Sequence, residues 1–167
     1  MSLREGLSTV TRWWVFWGES PRISELRRMG RVMAIDPGAR RCGLAVTDPL
    51  RIIASALDTV DTADLPAFLQ RYLAKEPVDG FVVGVPSGLD GNATDGTAPA
   101  MAVVEALRKA YPHCFVEEVD ERFTSVLAER TLLASGKGRQ ARRDKGQLDR
   151  ISATILLQDW LSRKARS

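Results

Sequence analysis

The sequence predicts an α/β fold built on one sheet, antiparallel at one edge and parallel elsewhere, and three observations lead there. Three short apolar runs, residues 31–36, 43–48 and 52–57, follow one another with only turns between them. Two later runs, Phe81–Val85 and Cys114–Glu121, alternate with stretches of helical spacing. The chain has 167 residues, 44% of them hydrophobic, which suits a single domain with a substantial core. A meander of three strands followed by helix–strand alternation makes a five-stranded mixed sheet.

Each element has its own warrant. Arg31-Val-Met-Ala-Ile-Asp36 is apolar up to its last residue, and Pro37-Gly38 turns the chain into the second run. Ile52-Ile-Ala-Ser-Ala-Leu57 is the third. Over residues 62–75 a helix is expected, because Leu65, Phe68, Leu69, Tyr72 and Leu73 recur on one side. Phe81-Val-Val-Gly-Val85 is wholly apolar, the pattern of a strand buried on both faces. Residues 86–98 are crowded with Gly, Pro, Asp and Thr and form a loop. Helices are expected at about 99–110, 124–135 and 146–163, with Thr124 as an N-cap. In the last of them Ser152 and Ala153 are small enough for close approach to the sheet, with Leu148, Ile151, Ile155 and Leu156 as anchors.

The first 28 residues differ from the rest. Trp13, Trp14 and Trp17 are three of the four tryptophans, and the apolar run they form is too short for a membrane span. The segment also lacks the apolar region and cleavage site of a signal peptide. Residues 1–28 are therefore read as a peripheral or disordered extension of a domain at 29–167. Cys42 and Cys114 have neither metal-ligand nor disulfide-framework spacing, which points to a reducing compartment. With His113 the single histidine, His-based nucleophilic catalysis has little to stand on.

Charge is uneven. Residues 136–167 carry nine basic and three acidic side chains, whereas residues 31–135 carry ten basic and fifteen acidic. Lys137, Arg139, Arg142, Arg143, Lys145 and Arg150 crowd beside Asp149. Clustered Lys and Arg supply salt-sensitive affinity for nucleic acid phosphates.

Three acids stand out: Asp36 and Glu121, each ending an apolar run, and Asp149, opening the last helical pattern. A carboxylate at the end of an apolar strand is desolvated and favours a cation or proton beside it. The strands ending at Asp36 and Glu121 are expected to be parallel neighbours that present both acids at one end of the sheet, where open α/β sheets place their sites. Taken singly, Asp149 is accounted for as a helix N-terminal acid and Glu121 as a partner of Arg122. Taken together, the three point to one metal site.

Residues 29–162 resemble the YqgF family, also called RuvX: bacterial proteins of RNase H-like fold related to Holliday-junction resolvases. The resemblance rests on Ala34-Ile-Asp36-Pro-Gly38-Ala-Arg40-Arg41-Cys-Gly43-Leu-Ala45-Val-Thr-Asp48-Pro, on Val82-Val-Gly84-Val-Pro86, on Val119-Asp120-Glu121-Arg122-Phe-Thr124-Ser and on Asp149-Arg-Ile-Ser-Ala153-Thr-Ile-Leu-Leu-Gln158. It implies an RNase H-like mixed five-stranded sheet, a three-strand antiparallel meander plus parallel strands, with helices on both faces. It further implies a cytoplasmic nuclease in 5′-end maturation of precursor 16S rRNA during ribosome biogenesis, with Asp36, Glu121 and Asp149 as the acidic site. Residues 1–28 have no counterpart in the family core, and the loop at 86–98 is longer and richer in Gly and Asp than its pattern.

Phosphodiester hydrolysis needs activated water and stabilised charge on two oxygens, which two Mg²⁺ ions supply; Mn²⁺ is the alternative. In this scheme Asp36 bridges the ions, and Glu121 and Asp149 each complete one shell. Asp120 is a reserve candidate on the opposite strand face. Arg40, Arg41, Arg122, Lys137, Arg139, Arg142, Arg143 and Lys145 are the candidate phosphate contacts. The expected partners are precursor rRNA, or branched DNA as the alternative, and ribosomal precursor particles. No membrane is expected, and the protein is expected to be a monomer or weak dimer. Three rivals stay open: ATP binding of the actin or sugar-kinase kind, which the short chain argues against, DNA junction cleavage, and a non-catalytic RNA-binding assembly factor.

Overall fold

The computed structural model describes residues 29–87, 93–120 and 145–166. Strands β1 (Arg31–Pro37), β2 (Arg41–Thr47) and β3 (Ala54–Asp61) form an antiparallel meander. A 3₁₀ turn at Thr62–Asp64 leads into helix α1 (Leu65–Leu73). Strand β4 (Val78–Val85), helix α2 (Thr97–Ala110), strand β5 (Phe115–Asp120) and helix α3 (Lys145–Lys164) follow. The sheet order is β3-β2-β1-β4-β5, with β4 parallel to β1 and β5 parallel to β4. This is the mixed five-stranded sheet, a three-strand antiparallel meander continued by parallel strands, that the chain pattern and the family resemblance anticipate. The expected helix at 124–135 and residues 1–28 lie outside the described residues.

One expectation is corrected. The strands that lead to Asp36 and Glu121 are not neighbours, because β4 lies between β1 and β5. The reason is burial. β4 carries Phe81, Val82 and Val83 fully buried, so it needs cover on both faces and a neighbour on each side. β5 carries Glu117 and Glu118 and can occupy the edge, where charged side chains also protect against stray pairing.

Strand alternation splits the core in two. On one face Met33, Ile35, Leu44, Phe81 and Val83 pack against Leu65 and Leu69 of α1 and Val104 and Leu107 of α2. On the other, Val32, Ala34, Ala45, Val82 and Val119 pack against Ala153, Leu156, Leu157, Trp160 and Leu161 of α3. Each large side chain so buried contributes about 1.5–3 kcal/mol. The anchors of α3 differ from expectation. Leu148, Ile151 and Ile155 are only half-buried, and the seam runs instead through Ser152, Ala153, Leu156, Leu157, Trp160 and Leu161.

β3 also starts later than its apolar residues suggest. Ile52 and Ile53 are exposed, because the Asp48 carboxylate draws the backbone into a turn by accepting the N–H groups of Leu50, Ile52 and Ile53. Those donors outweigh the effect of burial and hold the Asp48 carboxyl below its ordinary range. Arg51 in this turn has φ 57°, a left-handed conformation that is uncommon for a side chain of its size. Its guanidinium reaches the carbonyl of Gly30 and the carboxylate of Asp79, which ties the turn to the starts of β1 and β4. Arg31 adds a bond to the Thr47 carbonyl and an ion pair to Glu76.

At the β5 edge, Glu117 accepts the indole N–H of Trp160 at 2.8 Å and pairs with Lys164 at 3.0 Å. Burial alone would raise its carboxyl, but Trp160 and Lys164 outweigh it and hold the group below its ordinary 4.5. A lowered folded-state value means that this stabilisation is present above the unfolded value and disappears as pH falls through the folded one. Glu117→Gln should therefore lower stability at pH 7 by about 0.5–1 kcal/mol, a small figure because the pair is partly exposed. The deficit should vanish at acid pH, below the lowered carboxyl value. Thermal melts of both proteins across pH check this, and a deficit that persists unchanged in acid would contradict it.

Candidate active site

The acid at the end of β1 is held by its neighbours. Asp36 pairs with Gly43 of β2, and Gly43 pairs with Thr59 of β3. Directly opposed residues of antiparallel strands point to the same side, so Asp36, Gly43 and Thr59 form one row across three strands. Alternation from Val32 and Ala34 puts Asp36 on the α3 face.

The first turn and a half of α3 land on that row. The Thr59 hydroxyl donates to the Gly146 carbonyl at 2.7 Å. At Gly43 the fit is closer still, since a Cβ there would overlap the Asp149 carbonyl group and lie 3.1 Å from its Cα. Helix and strand therefore meet backbone to backbone, and Asp149 is brought to the level of Asp36. Arg41 sits on the same strand face as Gly43, and its Nε lies 3.6 Å from the Asp149 carboxylate. Asp36 is half-buried and Asp149 is 30% exposed, so a ligand can reach both.

The turn between β1 and β2 is tight. The Gly38 N–H donates to the Arg41 carbonyl at 2.9 Å, and a Cβ on Gly38 would lie 2.7 Å from that oxygen. Thr62 fastens the turn from outside by donating its N–H to the Arg40 carbonyl and its hydroxyl to the Gly38 carbonyl. Arg40 is exposed at the tip.

The structure thus brings Asp36, Asp149 and Arg41 together, with Arg40 at the adjoining turn. Asp120 lies on the α2 face, as alternation from Val119 requires, and accepts the Ser87 hydroxyl at 2.7 Å. Glu121, Arg122, Lys137, Arg139, Arg142 and Arg143 lie outside the described residues, as does the side chain of Lys145. Among the described residues no group of three or more His, Cys, Asp or Glu side chains is placed to hold a metal ion. A groove of about 390 Å³ lies between α1 and α2, lined by Leu69, Val103 and Leu107, on the face away from the acids. None of the described helices is long and apolar enough to cross a membrane.

The family model RuvX, described as Holliday junction resolvase, matches residues 30–163. The chain belongs to the RuvX family. A relative from Bacteroides thetaiotaomicron, named "Putative pre-16S rRNA nuclease", is 45% identical over 136 residues, spanning 81% of this chain and 99% of its own. A Porphyromonas gingivalis protein of the same name is 44% identical over 138 residues, 83% of this chain and 100% of its own. Among solved structures, Thermus thermophilus RuvC in complex with a Holliday junction substrate aligns at 17% identity and a TM-score of 0.49, over 81% of this chain and 96% of that one.

Two residues that shape this candidate site in the RuvX-family chain differ in how legible they are in the sequence. Gly43 carried a signal, since a glycine inside a strand marks a bulge or a close backbone approach. Thr59 carried none, because threonine is an ordinary strand residue. Cys42 lies one residue from Gly43 on the other strand face, fully buried. Burial pushes its thiol above the ordinary 9.0; the Thr62 hydroxyl contact opposes this, while the negative charges of Asp36 and Asp149 add to it. The thiol therefore stays protonated near neutral pH, and its reactivity should rise only on the alkaline side. In a Cys114→Ser background, Cys42 should react with a disulfide reagent at pH 7.5 at least about tenfold more slowly than in the urea-unfolded chain. Equal rates would contradict the placement.

Proposed function

We propose that this RuvX-family chain is a divalent-metal-dependent endonuclease that hydrolyses phosphodiester bonds in precursor 16S rRNA. The observation that carries the reading is the seating of Asp149 over the strand row that begins with Asp36. The names of the 45%- and 44%-identical relatives support the substrate.

The donors suit Mg²⁺ or Mn²⁺, because carboxylate oxygens are hard ligands and few are needed when the ion keeps several waters. The site already attracts positive charge, as Arg41 beside Asp149 illustrates. When bound, the ions would supply an activated water and stabilise charge on the attacking and leaving oxygens. Asp36 and Asp149 would hold the ions. Glu121 would complete the set; it follows Asp120 in the chain, two positions after Val119, whose side chain packs on the α3 face. Arg40 and Arg41 orient the scissile phosphate. Arg122, Lys137, Arg139, Arg142, Arg143 and Lys145 track the flanking backbone. In this reading residues 29–167 are the nuclease domain and 1–28 an appended segment. The protein works in the cytoplasm on ribosomal precursor particles, as a monomer or weak dimer.

A second reading, cleavage of branched DNA, is favoured by the family's description as a Holliday junction resolvase. Both readings are tested by incubating the purified protein and its Asp36→Asn variant with precursor 16S rRNA and with a four-way DNA junction, in Mg²⁺, Mn²⁺ or EDTA. The expected result is metal-dependent cleavage of the RNA, absent in EDTA and at least about a hundredfold slower in the variant, whose thermal stability stays close to that of the parent. Cleavage of the junction alone would select the second reading. RNA binding without cleavage of either substrate would instead mark a ribosome-assembly factor.

A further inference from the structure

We infer that Gly43 is a positioning residue for metal binding: the missing side chain at this one strand position sets the separation between the carboxylates of Asp36 and Asp149. The inference rests on the metal-site reading above. Three observations carry it. Gly43 is the direct cross-strand partner of Asp36, so the two share a face and a level. It is buried, and a Cβ on it would overlap the backbone carbonyl of Asp149, within the 3.0 Å that real Cβ atoms keep clear. The obstacle is helix backbone, which cannot swing aside as the end of a long side chain can.

The same row shows why the displacement would be felt at Asp149. The Thr59 hydroxyl holds the Gly146 carbonyl, and the buried Ser152 and Ala153 hold the next turn against the sheet. A side chain at Gly43 pushes between these two fastenings. The helix must tilt or retreat, on the order of 1 Å, and a misplacement of that size costs a positioned site about a hundredfold. Mg²⁺ is the demanding case, because it requires near-octahedral ligands at about 2.0–2.1 Å. The Arg41–Asp149 pair cannot restore the spacing, since Arg41 sits on the same strand and is displaced relative to the helix in the same sense.

A purely structural role would make Gly43 no different from Gly80. A Cβ on Gly80 would overlap the Phe115 ring, on the same sheet face but toward the opposite strand end. The two roles separate in Mn²⁺ affinity, measured on the full chain by isothermal titration or by the spin signal of free Mn²⁺. Gly43→Ala should bind Mn²⁺ at least about tenfold more weakly while keeping a cooperative melt. Gly80→Ala should lose thermal stability and retain the parental Mn²⁺ affinity. Adding Asp149→Glu to Gly43→Ala lengthens the acid by one methylene and should recover part of the affinity, whereas Asp149→Glu alone should overshoot and weaken binding. Parental affinity in folded Gly43→Ala overturns the inference. If Gly43→Ala does not fold, parental affinity in Asp149→Glu alone overturns it, because the spacing would then not be critical. Failure of the underlying metal-site reading shows separately, as Mn²⁺ binding that Asp36→Asn leaves unchanged.

Discussion

Helix α3 rests on β2 with no side chain between the two backbones at Gly43, and much of the molecule follows from that contact. It lets the helix lie low enough for Ala153, Leu156, Leu157 and Trp160 to close the second face of the sheet. It places the Gly146 carbonyl within reach of Thr59. It also brings a carboxylate from the far end of the sequence to the level of the one that ends β1. A larger residue would meet the Asp149 backbone, so only a shift of the helix would admit one.

Magnitudes indicate what holds Asp149. Its ion pair with Arg41 spans 3.6 Å between groups that are 30% and 39% exposed, and pairs of that kind contribute about 0–1 kcal/mol. The seam beneath it buries several large apolar side chains at about 1.5–3 kcal/mol each. Packing therefore places the acid, and the arginine only tunes it. A weak pair is useful here. Arg41 can exchange partners at little cost, while a buried and fully paired charge could not.

The apolar runs of β1 and β4 were legible because burial on both faces leaves no other pattern, and the helical spacing of Leu65, Phe68, Leu69, Tyr72 and Leu73 was equally plain. The position of β3 was not. Ile52 and Ile53 read as strand residues, yet three hydrogen bonds to the Asp48 carboxylate hold that stretch as a turn and leave both exposed. Strand order was not legible either, since periodicity reports which faces are apolar and says nothing about which parallel strand lies beside which. The comparative polarity of β5 was the available clue to its edge position. At the candidate site, residue type and family pattern point to Asp36 and Asp149. Gly43 stands in the motif, but its close approach to Asp149 is not legible there, because it depends on a helix more than a hundred residues away.

The clamp at the other end of the sheet has a mechanical consequence. Arg51 joins the β2–β3 turn to Gly30 and Asp79, and Arg31 bonds to Thr47 and Glu76. β1 is thus anchored where it begins and bonded along both sides to β2 and β4, like a beam fixed at its base and glued at its flanks. Asp36 rides on the tip of that beam and has little travel. Asp149 rides on a rod pinned to the sheet at Thr59 and at the buried Ser152 and Ala153. The gap between the two acids is therefore set by how the rod is seated, with the beam as the fixed reference.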